Sequence, residues 1–252
     1  MAYRPYFDPV KVDKPEAFFS NRPAGSLGDA LLSLNVNGFH KKVAQVEDLI
    51  QTECPMIVAL QETLNAERHY PVVVRGYRTF AKPWQKGFRG QALLVDARLP
   101  CYELPHDDCT YLIHVKVSGV PGSPGPLHTI SVYLPSSGNF RKERSSLIEK
   151  LGQRVEDVSK ADRNAVIVAL GDFNIKGDTL DKKLRRHVKG LLRFSAVGST
   201  WTRFPARKGW TPTGIDQFAG SSNASLLFRK MRLLRQYPIS DHPPYTKGSA
   251  VY

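Results

Sequence analysis

The side chains of this sequence best suited to chemistry sit directly behind its apolar runs. Asn35 and Asn37 follow Ala30-Leu31-Leu32-Ser33-Leu34, and Gln61 and Glu62 follow the run 56–60. Tyr133 ends the stretch that begins at Leu127, and Asp172 and Asn174 follow the run 165–170. Asp216 lies inside Gly214-Ile215-Asp216-Gln217-Phe218, and Asp241 and His242 come near the end of the chain. Strand ends on one edge of a sheet converge, and α/β enzymes commonly place their sites there. Carboxylates gathered at such an edge repel one another unless a cation sits among them. Hard oxygen donors with amides beside them favour Mg²⁺ or Mn²⁺ over zinc. Each residue alone also has a structural reading. Asp172 behind Gly171 can shape a turn, Glu62 can cap a helix, and His242 between Asp241 and Pro243 can lie in a surface bend. It is the joint pattern that points to a site.

The elements that must position these residues can be read from periodicity. Strands are expected at 30–36, 56–60, 77–81, 91–95, 111–117, 127–134, 165–170, 200–204 and 214–218. Val43, Val46, Leu49 and Ile50 recur at helical spacing and predict a helix over 41–53 that Pro55 stops. Charged helices are expected over 141–160 and 179–189. The Pro- and Gly-rich residues 120–126 read as a turn, which makes 111–117 and 127–134 a hairpin. The run 165–170 is almost wholly apolar, as suits a central strand covered on both faces. Strands partly alternating with helices, with hairpins among them, predict sheets packed on each other and covered by helices. Residues 1–28 read as a loosely ordered N-terminal arm and 29–252 as one domain. From 195 onward the sequence is loop-rich, and Asp241 and His242 are expected to close its ordered part.

Composition bounds the partners. The chain has 252 residues, 41% of them hydrophobic and 23% charged, which is ordinary for a globular protein. No apolar run is long enough to span a bilayer, and the N-terminus lacks the pattern of a secretory signal. Three cysteines, Cys54, Cys101 and Cys109, form no zinc-like pair and fit a reducing, intracellular setting. Lys and Arg number 36 against 23 Asp and Glu, a formal charge of +13. Such an excess is self-repulsive and makes sense beside a polyanion, nucleic acid first and an anionic membrane second. The stretch Lys182-Lys183-Leu184-Arg185-Arg186-His187-Val188-Lys189 reads as a phosphate-contacting face or a nuclear signal, and Arg229, Lys230, Arg232 and Arg235 form a second cluster. Arg141 and Lys142, soon after Tyr133, are the basic residues nearest the expected cleft.

Leu34-Asn35-Val36-Asn37-Gly38, Leu60-Gln61-Glu62-Thr63, Val132-Tyr133-Leu134-Pro135, Gly171-Asp172-Phe173-Asn174, Ile215-Asp216 and Ser240-Asp241-His242 occur in this order. Over about 31–243 the chain thereby resembles the endonuclease/exonuclease/phosphatase family, in the branch of abasic-site endonucleases and LINE-type retrotransposon endonucleases. The resemblance implies an α+β fold, a four-layer α/β/β/α sandwich of two mixed β-sheets face to face with helices outside. It implies that Glu62 binds a divalent metal, Mg²⁺ or Mn²⁺, with Asn37 and Asp241 helping. Asp172 would orient or deprotonate the attacking water, and Asn174 would bond the scissile phosphate. His242 would donate to a phosphate oxygen, with Asp216 fixing its tautomer. Tyr133 would place its phenol on the phosphate or leaving group, and Asn35 would sit behind Asp172 and Glu62.

Within the resemblance, Tyr133 favours the abasic-site and retrotransposon branch, since other branches usually carry His there. Asn37 stands where many repair enzymes have Asp. Thr213 stands where animal repair enzymes carry an aromatic that lines the abasic pocket. The expected activity is therefore DNA nicking of the non-LTR retrotransposon type. An abasic-site repair endonuclease/exonuclease is the alternative, and an inactive nucleic-acid-binding module of the same fold the third reading. Arg141, Lys142 and Trp201 are the expected DNA contacts, Trp201 by stacking or as a wedge. Only ten residues follow His242, so a domain of a larger retroelement polyprotein, or a stand-alone gene derived from one, is expected. A nuclear location and no membrane partner are expected, and the oligomeric state is left open.

Overall fold

A computed structural model describes residues 30–66, 72–104, 109–136, 138–190, 192–194, 202–204, 211–228 and 230–248. The expected N-terminal arm, Trp201 and Arg229 lie outside them.

One sheet has the spatial order β11 (Lys230–Leu233), β12 (Tyr245–Gly248), β1 (Ala30–Asn35), β2 (Ile57–Gln61), β4 (Gln91–Asp96) and β3 (Tyr77–Lys82). The other has the order β5 (Cys101–Glu103), β6 (Leu112–Val117), β7 (Leu127–Tyr133), β8 (Val166–Asp172), β10 (Asp216–Gly220) and β9 (Leu192–Phe194). Each sheet holds one parallel pair, β1 with β2 and β7 with β8, and the remaining neighbours are antiparallel. A parallel pair needs a crossover. Helix α1 (Val43–Glu53) provides one and α2 (Arg141–Ala161) the other.

Three apolar layers account for the stacking. Leu31, Ile57, Leu93 and Val95 of the first sheet meet Val115, Val166, Val168, Leu170 and Phe218 of the second. Behind the first sheet, Leu32, Leu34, Val58 and Leu60 pack on Val46, Leu49 and Ile50 of α1. Behind the second, Ile130, Val132, Ile167 and Ala169 pack on Leu147, Leu151 and Val155 of α2 and on Leu180 and Leu184 of α3 (Gly177–His187). The even positions of β8 thus face the other sheet and the odd ones face helices. That is why the strand reads as one unbroken apolar run. Fully burying each such side chain contributes about 1.5–3 kcal/mol. The four-layer α/β/β/α architecture with two mixed sheets is the one expected.

The C-terminal third departs from expectation. The ordered sequence does not close at His242, because β12 follows and pairs with both β1 and β11. The expected strand over 200–204 is, in its described part, a single bridge between Arg203 and Thr213. The short helix α4 (Ser222–Leu227) and strands β5, β9 and β11 carry no clear sequence signal. Six helical residues are too few for periodicity, and two members of the expected basic cluster, Lys230 and Arg232, fall in the edge strand β11.

Candidate active site

Register brings the site together. Tyr133 and Asp172 are partners across the parallel β7–β8 pair, and Asp172 and Asp216 are partners across β8–β10. On the first sheet Asn35 is the partner of Gln61. Gly171, one residue before Asp172, has φ +138, and a Cβ there would lie 2.0 Å from the Val132 carbonyl oxygen. Only glycine lets β8 run so close to β7 at this point. Asn37, Glu62 and Asn174 each lie just past a strand end with φ of 45, 53 and 48. Such left-handed backbone in non-glycine residues costs of order 1 kcal/mol each and clusters at functional sites.

The buried arm of the site is built on Asp172, Asp216 and His242. Asn35 Nδ2 donates to Asp172 Oδ2 at 3.0 Å, and the Asn174 amide N–H donates to Oδ1 at 2.9 Å. Asn35 also accepts the Asn37 amide at 3.3 Å, so one side chain holds two candidate residues. Burial, then the charge of Asp216, pushes the Asp172 carboxyl up to about 7, against the opposite pull of His242 and its two hydrogen-bond donors. His242 Nδ1 is 2.8 Å from Asp216 Oδ2. Burial opposes the imidazolium charge. Asp216, by charge and hydrogen bond, then Asp172 and Asp241 overcome it and hold the ring up to about 9. With Nδ1 given to Asp216, Nε2 is the ring atom left for a substrate.

Three further residues support this arm. Thr202 Oγ1 accepts the amides of Ile215 and Asp216 at 3.1 and 2.9 Å. Ser240 Oγ lies 2.6 Å from the Asn35 carbonyl and accepts the His242 amide at 3.0 Å, tying the turn that carries His242 to the end of β1. Asn174 Nδ2 donates to the Leu134 carbonyl at 2.7 Å, so its amide is fixed against the end of β7.

The second arm is more open. Glu62 and Asn37 come together on one guanidinium: Arg89 Nη1 lies 2.6 Å from Glu62 Oε2, and Nη2 donates to Asn37 Oδ1 at 2.8 Å. Tyr133 donates to Glu62 Oε1 at 3.4 Å. Burial first, then the charges of Glu62 and Asp172, pushes its phenol far up, so it stays a neutral donor. Asp241 pairs with Arg203 Nε at 3.1 Å. Lys42 donates to the Val36 and Asn37 carbonyls at 2.7 and 3.2 Å. Its pKa is lowered by burial, with Asp241 and Glu62 acting the other way. Arg141 and Lys142 are exposed in the first turn of α2.

Two groups of oxygens bear on a metal. Asp172, Asp216 and His242 each offer an atom within 4.8 Å of the others and could hold an ion. Asp216 Oδ1 is buried without a hydrogen-bond partner among the described residues. A partnerless carboxylate oxygen beside a second buried carboxylate calls for positive charge. Glu62, Asn37 and Asp241 are hard oxygen donors, the first two in contact with Arg89 and the third with Arg203. The donor chemistry of the site fits a divalent ion such as Mg²⁺ or Mn²⁺.

Sequence reasoning missed Arg89, Thr202 and the stapling role of Ser240. Arg89 stands before Gly90 at the entry to β4, where a lone basic residue looks like any solvated one.

Comparison with known proteins adds the lineage. The sequence model of the Endonuclease/Exonuclease/phosphatase family matches residues 32–242. Exodeoxyribonuclease III of Haemophilus influenzae is 26% identical over 160 residues, a match taking in 60% of this chain and 59% of the relative's own length. Among solved structures, a 3′ phosphatase (NExo) from Neisseria bound to product DNA hairpin superposes with TM-score 0.70 at 21% identity, covering 88% of this chain and 100% of that one. The endonuclease domain of TRAS1, a telomere-specific non-LTR retrotransposon, gives 0.69 at 20% identity over 88% and 99%. The AP endonuclease LMAP from Leishmania major gives 0.70 at 16% identity over 89% and 88%. No described helix is long and apolar enough to cross a membrane.

Proposed function

Because the chain belongs to the endonuclease/exonuclease/phosphatase family, we propose that it is a divalent-metal-dependent phosphodiesterase that nicks DNA, of the non-LTR retrotransposon type. The single observation that carries this reading is the buried array of Asn35, Asp172, Asp216 and His242, with one carboxylate beside an imidazolium held charged by another.

In this reading Asp172 orients the attacking water and takes its proton. Its raised pKa suits a base working near neutral pH. His242 donates from Nε2 to a non-bridging phosphate oxygen. Asp216 fixes its tautomer and sustains its charge as the phosphate gains negative charge. Tyr133, a neutral phenol, donates to the phosphate or the leaving oxygen. Asn174, clamped to Leu134, borders the same phosphate. Glu62, Asn37 and Asp241 would hold Mg²⁺ or Mn²⁺, which when bound offsets charge on the phosphoryl and leaving oxygens. Arg141 and Lys142 would grip the backbone of the strand, and Trp201 would stack on a base.

The relationship to an exodeoxyribonuclease III favours a second reading, an abasic-site repair nuclease. The test is supercoiled plasmid against a duplex with one abasic site, each with Mg²⁺ and with EDTA. Nicking of plain plasmid that EDTA abolishes is the expected result. Cleavage confined to the abasic duplex selects the repair reading. Undiminished cleavage in EDTA overturns the metal requirement, and binding without cleavage makes the chain an inactive module of this fold.

A further inference from the structure

Arg89 has no part in the chemistry derived above, yet it makes the shortest ion pair in the open arm of the site. Its two terminal nitrogens reach two different residues, Glu62 Oε2 at 2.6 Å and Asn37 Oδ1 at 2.8 Å. Those oxygens belong to two of the three side chains assigned above to a divalent ion. Both backbones are held in left-handed conformations that aim the side chains at one place. The Glu62 side chain is only 13% exposed, so its charge is weakly screened, whereas the Arg89 side chain is 48% exposed and has room to swing out. The neighbouring cation, Lys42, spends its hydrogen bonds on main-chain carbonyls and does not duplicate the contact. The position of Arg89 is itself fixed. Its carbonyl accepts the Leu64 amide at 2.9 Å, and at Gly90, with φ +83, a Cβ would lie 2.6 Å from Thr63 Oγ1.

A planar guanidinium spanning two oxygens and a divalent ion bound to the same oxygens exclude each other. The reason is both charge and space. We propose that Arg89 is a positioning residue that acts as a resident counter-ion for the Glu62–Asn37 oxygen pair, and that a divalent cation binds here by displacing it. Metal binding is then an exchange of one cation for another. The pair stays together at low metal concentration, and affinity is lower than the oxygens alone would give. This inference rests on the assignment of Glu62 and Asn37 to the metal.

The test is calorimetric titration of the whole chain with MnCl₂, comparing wild type with Arg89→Ala and Arg89→Lys, with and without Glu62→Gln. Removing the competing ion pair should tighten Mn²⁺ binding about two- to fivefold in Arg89→Ala. Arg89→Lys, which keeps the charge but loses the fork, should fall between. The gain should vanish in the Glu62→Gln background. A residue that merely supported the fold would weaken binding when removed. Equal or weaker affinity in Arg89→Ala, or a gain that survives Glu62→Gln, overturns the proposal while leaving the metal reading intact. Binding in wild type that Glu62→Gln does not alter overturns the metal assignment of Glu62 and this inference with it.

Discussion

The two sheets follow the same plan, strand for strand, but finish their central strands differently. At the end of the second sheet the ionisable groups are taken out of water. Asp172 and Asp216 are 1% and 4% exposed, and their charge is answered by His242 and by hydrogen bonds from Asn35 and the Asn174 amide. At the end of the first sheet Glu62 stays partly wet and Asn37 exposed, and arginine answers the charge. Burial strengthens every electrostatic contact and shifts proton affinities, as proton transfer and charge stabilisation need. Partial exposure keeps ligands exchangeable, as reversible cation binding needs. One strand plan used twice thus ends in a buried carboxylate–imidazole cluster on one sheet and in a partly exposed carboxylate–guanidinium pair on the other.

The contrast breaks most severely in the buried half. Asp172→Ala and His242→Ala should each slow plasmid nicking by about a hundredfold or more. Neither makes up the basic surface, so DNA affinity by fluorescence anisotropy should stay measurable. Near-normal nicking by either purified variant would refute the roles given to this arm.

Asp216→Asn sharpens the comparison through proton affinity. His242 is held up to about 9, chiefly by Asp216 working against burial. Without that carboxylate only Asp172 and Asp241 act against burial, and the ring should titrate well below the wild-type value. NMR titration of the imidazole reads this directly. Stability should follow. A pKa raised on folding stabilises fully below the unfolded value and loses that stabilisation as pH rises through the folded one. The thermal midpoint of the wild type should therefore exceed that of Asp216→Asn most near pH 6, the gap closing as pH passes about 9. A constant gap would mean that the pair is not charged.

The smallest effect belongs to the exposed basic residues. Replacing Arg141 and Lys142 together by Ala should weaken DNA binding only several-fold. If both contact phosphates, it should lower the slope of log affinity against log salt by about 2. An unchanged slope would remove them from the DNA surface.

How much of this could be read beforehand follows from what each residue type reveals. The apolar β8 run announced a central strand, and Gly171-Asp172-Phe173-Asn174 behind it announced a strand-end site, because burial and chemistry leave local marks. The partnership of Asp216 with His242 rested on resemblance alone, since 26 residues separate them and only the stacking of the two sheets brings the turn that carries His242 over β10. Arg89, 27 positions from Glu62, was invisible for the same reason. Thr202 was hidden because its work, accepting two backbone amides, can be done by any hydroxyl in the right place. β11 was obscured because short edge strands are marked by charge as much as by apolar pattern, and β12 because four residues are too few to set a pattern.

Register across β7, β8 and β10 sets Tyr133, Asp172 and Asp216 side by side. A slip of one residue in any of these strands would turn its side chains to the opposite face. The reacting groups therefore cannot be misaligned by degrees while the barrier between the sheets and water survives. Heated slowly, this protein should lose its catalytic power and its tertiary structure in a single melting event, with no warm, folded, sluggish form between them.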